Sequence, residues 1–105
     1  MTECIQITTT IDSESSAQEI ARKLVENRLA ACVQVAGPIQ STYRWKGVIE
    51  TAGEWLLLVK TRKELYEKVE AAIREMHPYE TPEIIALPII AGSAAYLDWL
   101  RKETG

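Results

Sequence analysis

The chain contains no Phe, a single His and only two Cys among its 105 residues. Without Phe, the aromatic content is three Trp and four Tyr, rings with polar tips that suit interfaces as well as cores. The two thiols, Cys4 and Cys32, do not form a C-x-x-C pair. They are too few for a disulfide framework and read as reduced cysteines of a cytoplasmic protein. One histidine, His77, leaves little room for a histidine-rich metal cage or a histidine-based triad. The five Gly stand at 37, 47, 53, 92 and 105 and form neither G-x-G-x-x-G nor G-x-x-x-x-G-K-[ST], so no phosphate cradle is present. Unbroken apolar runs such as Trp55–Val59 are far too short to span a bilayer. Met1-Thr2-Glu3-Cys4-Ile5 lacks the basic start and apolar run of a leader. The net charge of −3 argues against a nucleic-acid binder, which needs a basic face to displace counterions.

What is present is 47% hydrophobic and 26% charged residues in a chain of one-domain size, read as a single domain over residues 1–105. Ile5, Ile7 and Ile11 alternate with Gln6, Thr8 and Thr10, which predicts a strand over Cys4–Ile11. Ser16-Ala17-Gln18-Glu19 fits a capping box. It is followed by a helical stripe of Ala17, Ile20, Ala21, Leu24 and Val25 that ends near Asn27. A second strand starts at Leu29, is interrupted by Gly37-Pro38 and resumes through Tyr43 and Trp45. Lys46-Gly47 turns the chain into a third strand, Val48–Lys60, with a bulge expected at Ala52-Gly53. Thr61-Arg62-Lys63-Glu64 reads as another capping box, opening a helix with the stripe Leu65, Val69, Ala72, Ile73 and Met76. His77-Pro78 stops that helix. Glu83–Ala91 is the last strand, and Ser93 caps a C-terminal helix carrying Tyr96, Leu97 and Leu100.

The order β-α-β-β-α-β plus a terminal helix predicts an α+β, ferredoxin-like split βαβ fold with an antiparallel sheet and a long hairpin between its second and third strands. The two proline-bearing strands fall at the sheet edges of that fold, where proline is tolerated. Right-handed crossovers place both long helices on one side of the sheet. Yet Trp55–Val59, Ile84–Leu87 and Ile89-Ile90 are apolar on both faces. A second apolar face needs a cover, so the chain is expected to self-associate.

His77-Pro78-Tyr79-Glu80-Thr81-Pro82-Glu83 is the densest display of titratable and aromatic groups, on a segment stiffened by two prolines. It reads either as a site or as a helix stop and strand entry. Glu50 with Glu54, and Glu80 with Glu83, are spaced for paired-carboxylate chemistry but read as solvated. Cys32 lies opposite the core face of its strand and reads as a small apolar residue. Trp45, Trp55 and Trp99 read as structural, with Trp45 near a hairpin tip suited to an interface. No base–nucleophile set is identifiable, so the chain is not read as an enzyme.

Leu29-Ala30-Ala31-Cys32-Val33, Tyr43-x-Trp45-x-Gly47, Lys60-Thr61, His77-Pro78-Tyr79-Glu80-x-Pro82-Glu83 and Tyr96-Leu97-x-Trp99-Leu100 together resemble the signature segments of the CutA divalent-cation-tolerance family. The resemblance implies a ferredoxin-like subunit in a tight homotrimer, similar in architecture to the PII signalling proteins, with the hairpin reaching onto a neighbour. It implies tolerance to copper and other divalent cations, with no obligatory cofactor and copper or another divalent cation weakly bound. Copper ligands in bacterial relatives are a first-strand Cys and a His pair before Pro-Tyr. The matching positions here are Thr9 and Met76-His77, so only His77 carries over, and Gln34 stands where relatives usually have Asn. The metal reading therefore rests on His77 with Cys32 or Glu80. The alternative is a PII-like sensor or adaptor whose inter-subunit clefts bind a small molecule, lined by Tyr43, Trp45, Lys60, His77, Tyr79 and Glu80.

Overall fold

A computed structural model describes residues 3–105. Met1 and Thr2, at the start of the segment read for a leader, lie outside the described residues. Eight elements follow in order. They are β1 (Cys4–Ile11), α1 (Glu14–Glu26), β2 (Cys32–Trp45), β3 (Val48–Arg62), a single 3-10 turn (Lys63–Leu65), α2 (Tyr66–Met76), β4 (Ile84–Pro88) and α3 (Ala94–Lys102). The strands form one antiparallel sheet in the order β2-β3-β1-β4, the α+β arrangement expected. Both proline-bearing strands are edges, because proline cannot donate to a second ladder. No helix among the described residues is long and apolar enough to cross a membrane.

The pairing register fixes what each sheet face presents. Ile7, Val59 and Val33 form one row on the helix side, and Thr9, Leu57 and Val35 form the next. α1 and α2 lay Ile20, Leu24, Val69 and Ile73 on these rows, and all four are at most 1% exposed. The apolar stripe of α1 narrows to Ala17, Ile20 and Leu24, leaving Val25 exposed. Thr9 is the misfit. Its Oγ1 is buried with no hydrogen-bond partner among the described residues. Thr9→Val keeps the shape and removes that orphan hydroxyl, so it is expected to stabilise the fold by about 1 kcal/mol. A urea midpoint that fell instead would show that Thr9 has an unseen partner.

Five local expectations change. The cap of α1 is Ser13, whose extended backbone lets its Oγ accept from the Ser16 amide at 3.3 Å; Ser16 lies inside the helix. Thr61 caps nothing. β3 runs through Arg62 because Thr61 and Arg62 pair with Ile5 and Cys4, and the Thr61 hydroxyl donates to the Leu29 carbonyl at 2.6 Å. The bulge lies not at Ala52-Gly53, which pairs regularly, but at Gly37-Pro38, where two residues of β2 oppose Trp55 alone. Gly37 is needed there for close approach, since a Cβ would stand 2.8 Å from the Trp55 ring. β2 begins at Cys32 rather than Leu29, and β4 is shorter than predicted, Ile84–Pro88.

Only Trp55–Arg62 of β3 pairs with β1, so Val48–Glu54 and the facing part of β2 continue as a two-stranded ribbon. Lys46 and Gly47, with φ of 51° and 82°, make the tight turn whose twist matches its strands. The ribbon contributes to a longest dimension of 44 Å. On the sheet face away from α1 and α2, α3 covers one end by packing Leu100 against Cys4 and Ala31. The row of Thr8, Leu58 and Ile85, with Leu87 beside it, is left uncovered. Ile85 and Leu87 are about half exposed.

Candidate functional site

Segment 77–83 owes its position to two long-range hydrogen bonds. Pro78 forces His77 out of the helix into an extended conformation (φ −95°, ψ 132°), and this turns the imidazole toward the end of β1. Nε2–H donates to the Thr10 carbonyl at 2.7 Å, and Nδ1 accepts from the Tyr79 amide at 3.2 Å. The ring is buried and meets the Tyr79 ring edge-on at 4.6 Å. Both ring nitrogens are thus spent within the chain. Tyr79 then reaches β3, where its hydroxyl donates to Glu54 Oε2 at 2.8 Å. Glu54 is buried at the foot of the ribbon, beside the Gly37-Pro38 bulge.

Between this segment and the ribbon lies a cavity of about 810 Å³. Tyr43 and Trp45 line it from β2, Glu50 and Glu54 from β3, and Tyr79, Glu80 and Glu83 from the proline-stiffened segment. No Lys, Arg or His is among its lining residues. Its walls are therefore acidic and aromatic.

Burial raises the Tyr79 phenol well above its usual value, helped by the hydrogen bond to Glu54 and by that carboxylate's charge. The folded protein holds the neutral phenol more firmly than the unfolded chain does. The stability this contributes is complete below about pH 10, the ordinary phenol value, and is lost progressively as pH rises from there through the raised value of the folded protein. Wild type is expected to lose thermal stability above pH 10 more steeply than Tyr79→Phe. Parallel alkaline profiles would remove Tyr79 from this account.

Within the chain Tyr43, Trp45, Tyr79 and Glu80 line one cavity, with His77 fixing the segment behind Tyr79. Lys60 is not brought there. It pairs with Cys32 and Gln6 in the register, and its ammonium donates to Gln34 Oε1. Cys32 sits in that same row, four residues along β3 from the row of Thr10, about 13 Å by strand rise alone. His77, Cys32 and Glu80 therefore do not converge within one chain. No three His, Cys, Asp or Glu side chains group as a metal site among the described residues. Position 9 is buried beneath the helices, so a ligand there would sit in the core. Burial also raises the Cys4 thiol, which keeps it protonated and a poor ligand.

The sequence reading missed that Glu50, Glu54, Glu80 and Glu83 line one cavity. Their pairwise spacing was visible. Their meeting needed the fold, which hangs the loop before β4 beside the foot of the ribbon.

A family model described as CutA1 divalent ion tolerance protein matches residues 5–103. The chain is 49% identical over 96 residues to the divalent-cation tolerance protein CutA of Thermus thermophilus, covering 91% of this chain and 93% of that one. It is 46% identical over 95 residues to human Protein CutA, covering 90% of this chain and 53% of the human protein, so it spans about half the length of that relative. Among solved structures, the Thermus thermophilus divalent cation tolerance protein superposes with a TM-score of 0.95 at 46% identity, over 97% of this chain and 99% of that one. CutA1 from Oryza sativa superposes with a TM-score of 0.96 at 35% identity, over 99% and 95%.

Proposed function

Because the chain belongs to the CutA1 divalent ion tolerance protein family, we propose that it serves divalent-cation tolerance in the cytoplasm as a homotrimeric binding protein, not an enzyme. Its ligand is held in the cleft between the ribbon and segment 77–83. The observation that carries this reading is the cleft itself, a cavity of about 810 Å³ walled by four carboxylates and three aromatic rings, a size typical of small-ligand sites. Catalysis has no support in the histidine, whose two nitrogens are both engaged.

The trimer rests on uncovered apolar surface. Ile85, Leu87, Ile90 and Trp99 are between 42% and 87% exposed, and Val48 and Ile49 stand on an otherwise unsupported ribbon. Two-stranded ribbons are marginal alone. Packing sheet faces about a three-fold axis covers the first group, and a ribbon laid on a neighbour covers the second. The cleft at its foot then becomes an inter-subunit cleft.

A copper site on His77, Cys32 and Glu80 does not fit one chain, for the reasons of distance and hydrogen bonding given above. Metal binding in this proposal falls to the carboxylates of the cleft and is weak, because oxygen donors without a preformed cage hold divalent cations loosely. A second reading, a PII-like sensor or adaptor that binds a small molecule, is favoured by the aromatic walls. Calorimetric titration of Cu²⁺ into wild type, Glu54→Gln and Cys32→Ala tests the metal part. Heat lost with Glu54→Gln and kept with Cys32→Ala supports the cleft; the reverse returns the site to Cys32.

A further inference from the structure

We propose that His77 is a pH-operated latch: neutral, it holds segment 77–83 against the sheet, and protonated, it lets that segment go. This goes beyond the reading of the cleft and holds whatever the cleft binds. The partners of the ring carry the argument. Nε2 lies 2.7 Å from the Thr10 carbonyl oxygen, and Nδ1 lies 3.2 Å from the Tyr79 amide nitrogen. Both partners are backbone groups with fixed roles, since a carbonyl only accepts and an amide N–H only donates. One neutral tautomer, with its hydrogen on Nε2, satisfies both. The imidazolium carries a hydrogen on each nitrogen and satisfies only one, because Nδ1–H then meets the Tyr79 N–H donor to donor.

Burial closes the easy escape. The ring is 9% exposed, and a charge with one acceptor in so dry a place is costly. The surroundings offer the cation a better place outside. Glu54 on β3, Asp12 just after β1 and Tyr43 on β2 are the titratable groups around Tyr79, and all three favour its protonated phenol. Glu80 follows in the same segment and, like Asp12, is exposed. On α2, Arg74 is taken by Glu70 and Glu75 is exposed. The first turn of α1 offers only the exposed Glu14. The unpaired charges near the ring are thus carboxylates, and the exposed ones draw a freed imidazolium toward water.

Release reaches the cleft directly. Tyr79 stands two residues from His77, packs edge-on against its ring and donates its hydroxyl to Glu54 at 2.8 Å. Tyr79, Glu80 and Glu83 form one wall of the cavity and belong to the latched segment. Histidine is the side chain whose charge ordinarily changes between about pH 5 and 8, and His77 is the only one in the chain. The wall is therefore held at neutral pH and released in mild acid.

Amide hydrogen exchange on the full-length protein tests the latch, at about pH 7.5 and about pH 5, either side of the ordinary histidine value. Rates are corrected for the intrinsic exchange rate at each pH. The Tyr79 amide is expected to lose protection about tenfold or more at the lower pH, while the paired amides of β1 and β3 keep theirs. His77→Gln, which keeps a donor and an acceptor but does not titrate, is expected to abolish this step. Glu54→Gln, which keeps an acceptor for Tyr79, is expected to lower protection at both pH values and leave the step in place. The nitrogen NMR signals of the single imidazole in wild type are expected to report protonation over the pH range in which Tyr79 loses protection. That measurement decides if His77→Gln does not fold. Unchanged Tyr79 protection in wild type, a step that survives His77→Gln, or a protonated imidazole with Tyr79 still protected overturns the latch. A step lost only with Glu54→Gln makes that carboxylate the sensor and overturns it as well.

Discussion

Ile85→Lys with Leu87→Lys is expected to sediment at the 11.8 kDa mass of one chain under conditions where the proposed trimer has wild type sedimenting at three times that mass. Both side chains stand on the uncovered face of an edge strand and are about half exposed. Lysine is well tolerated on sheet edges, so the subunit fold, followed by far-UV circular dichroism, is expected to persist. In the assembly the same positions would bury two unpaired ammonium groups per chain and set them against copies of themselves. Like-charge contact and desolvation together cost several kcal/mol, enough to weaken association roughly a thousandfold. A variant that keeps the wild-type mass would show that this face is not the interface, and a monomeric wild type would sink the trimer itself.

The second large effect belongs to His77. Replacing it by alanine strands the Thr10 carbonyl and the Tyr79 amide, opens a hole where a buried ring stood, and frees segment 77–83 from β1. A loss of about 2–4 kcal/mol in folding stability is expected. Apparent stability would depend on protein concentration if the subunits associate, so wild type and variant are compared at one concentration. His77→Gln, which retains a donor and an acceptor, is expected to recover part of the loss. Cu²⁺ affinity is expected to stay within about twofold of wild type, because the ring nitrogens are already engaged. A variant with unchanged stability and at least tenfold weaker copper binding would make His77 a ligand and overturn the structural role assigned to it.

These two substitutions probe features of different legibility. The uncovered face could be read from the chain, because a solvated sheet face should alternate and Leu56-Leu57-Leu58 does not. The register confirms that Leu57 faces the helices while Leu58 faces away. The ambiguous features were those with more than one local solution. Ser16-x-x-Glu19 carries a capping pattern, but the extended backbone at Ser13 makes Ser13 the cap. Thr61-x-x-Glu64 carries a capping pattern, but its pairing with β1 keeps it in the strand. Gly37 and Gly53 could each have marked a bulge, and the approach of the Trp55 ring selects Gly37.

The candidate site was legible as a segment but not as a cleft. Two prolines with His77, Tyr79 and Glu80 between or beside them announced a stiff display. Glu54 gave no comparable signal, since a glutamate in a strand normally faces water. Lys60, read as lining an inter-subunit cleft, stands within its own chain in the row of Cys32, apart from the cavity at the foot of the ribbon.

By itself the sequence determined the local geometry: the two-residue period of β1, the stripes of α1 and α2, the turn at Lys46-Gly47, the helix stop at Pro78 and the proline-marked edges. Each follows from residues a few positions apart, whose sterics and polarity act along the chain. The tertiary structure alone decided the site. It joined His77 to Thr10 across 67 positions and Tyr79 to Glu54 across 25, drew two distant glutamate pairs around one cavity and kept Cys32 out of it. Such convergence comes from the packing of whole elements, which local periodicity does not encode.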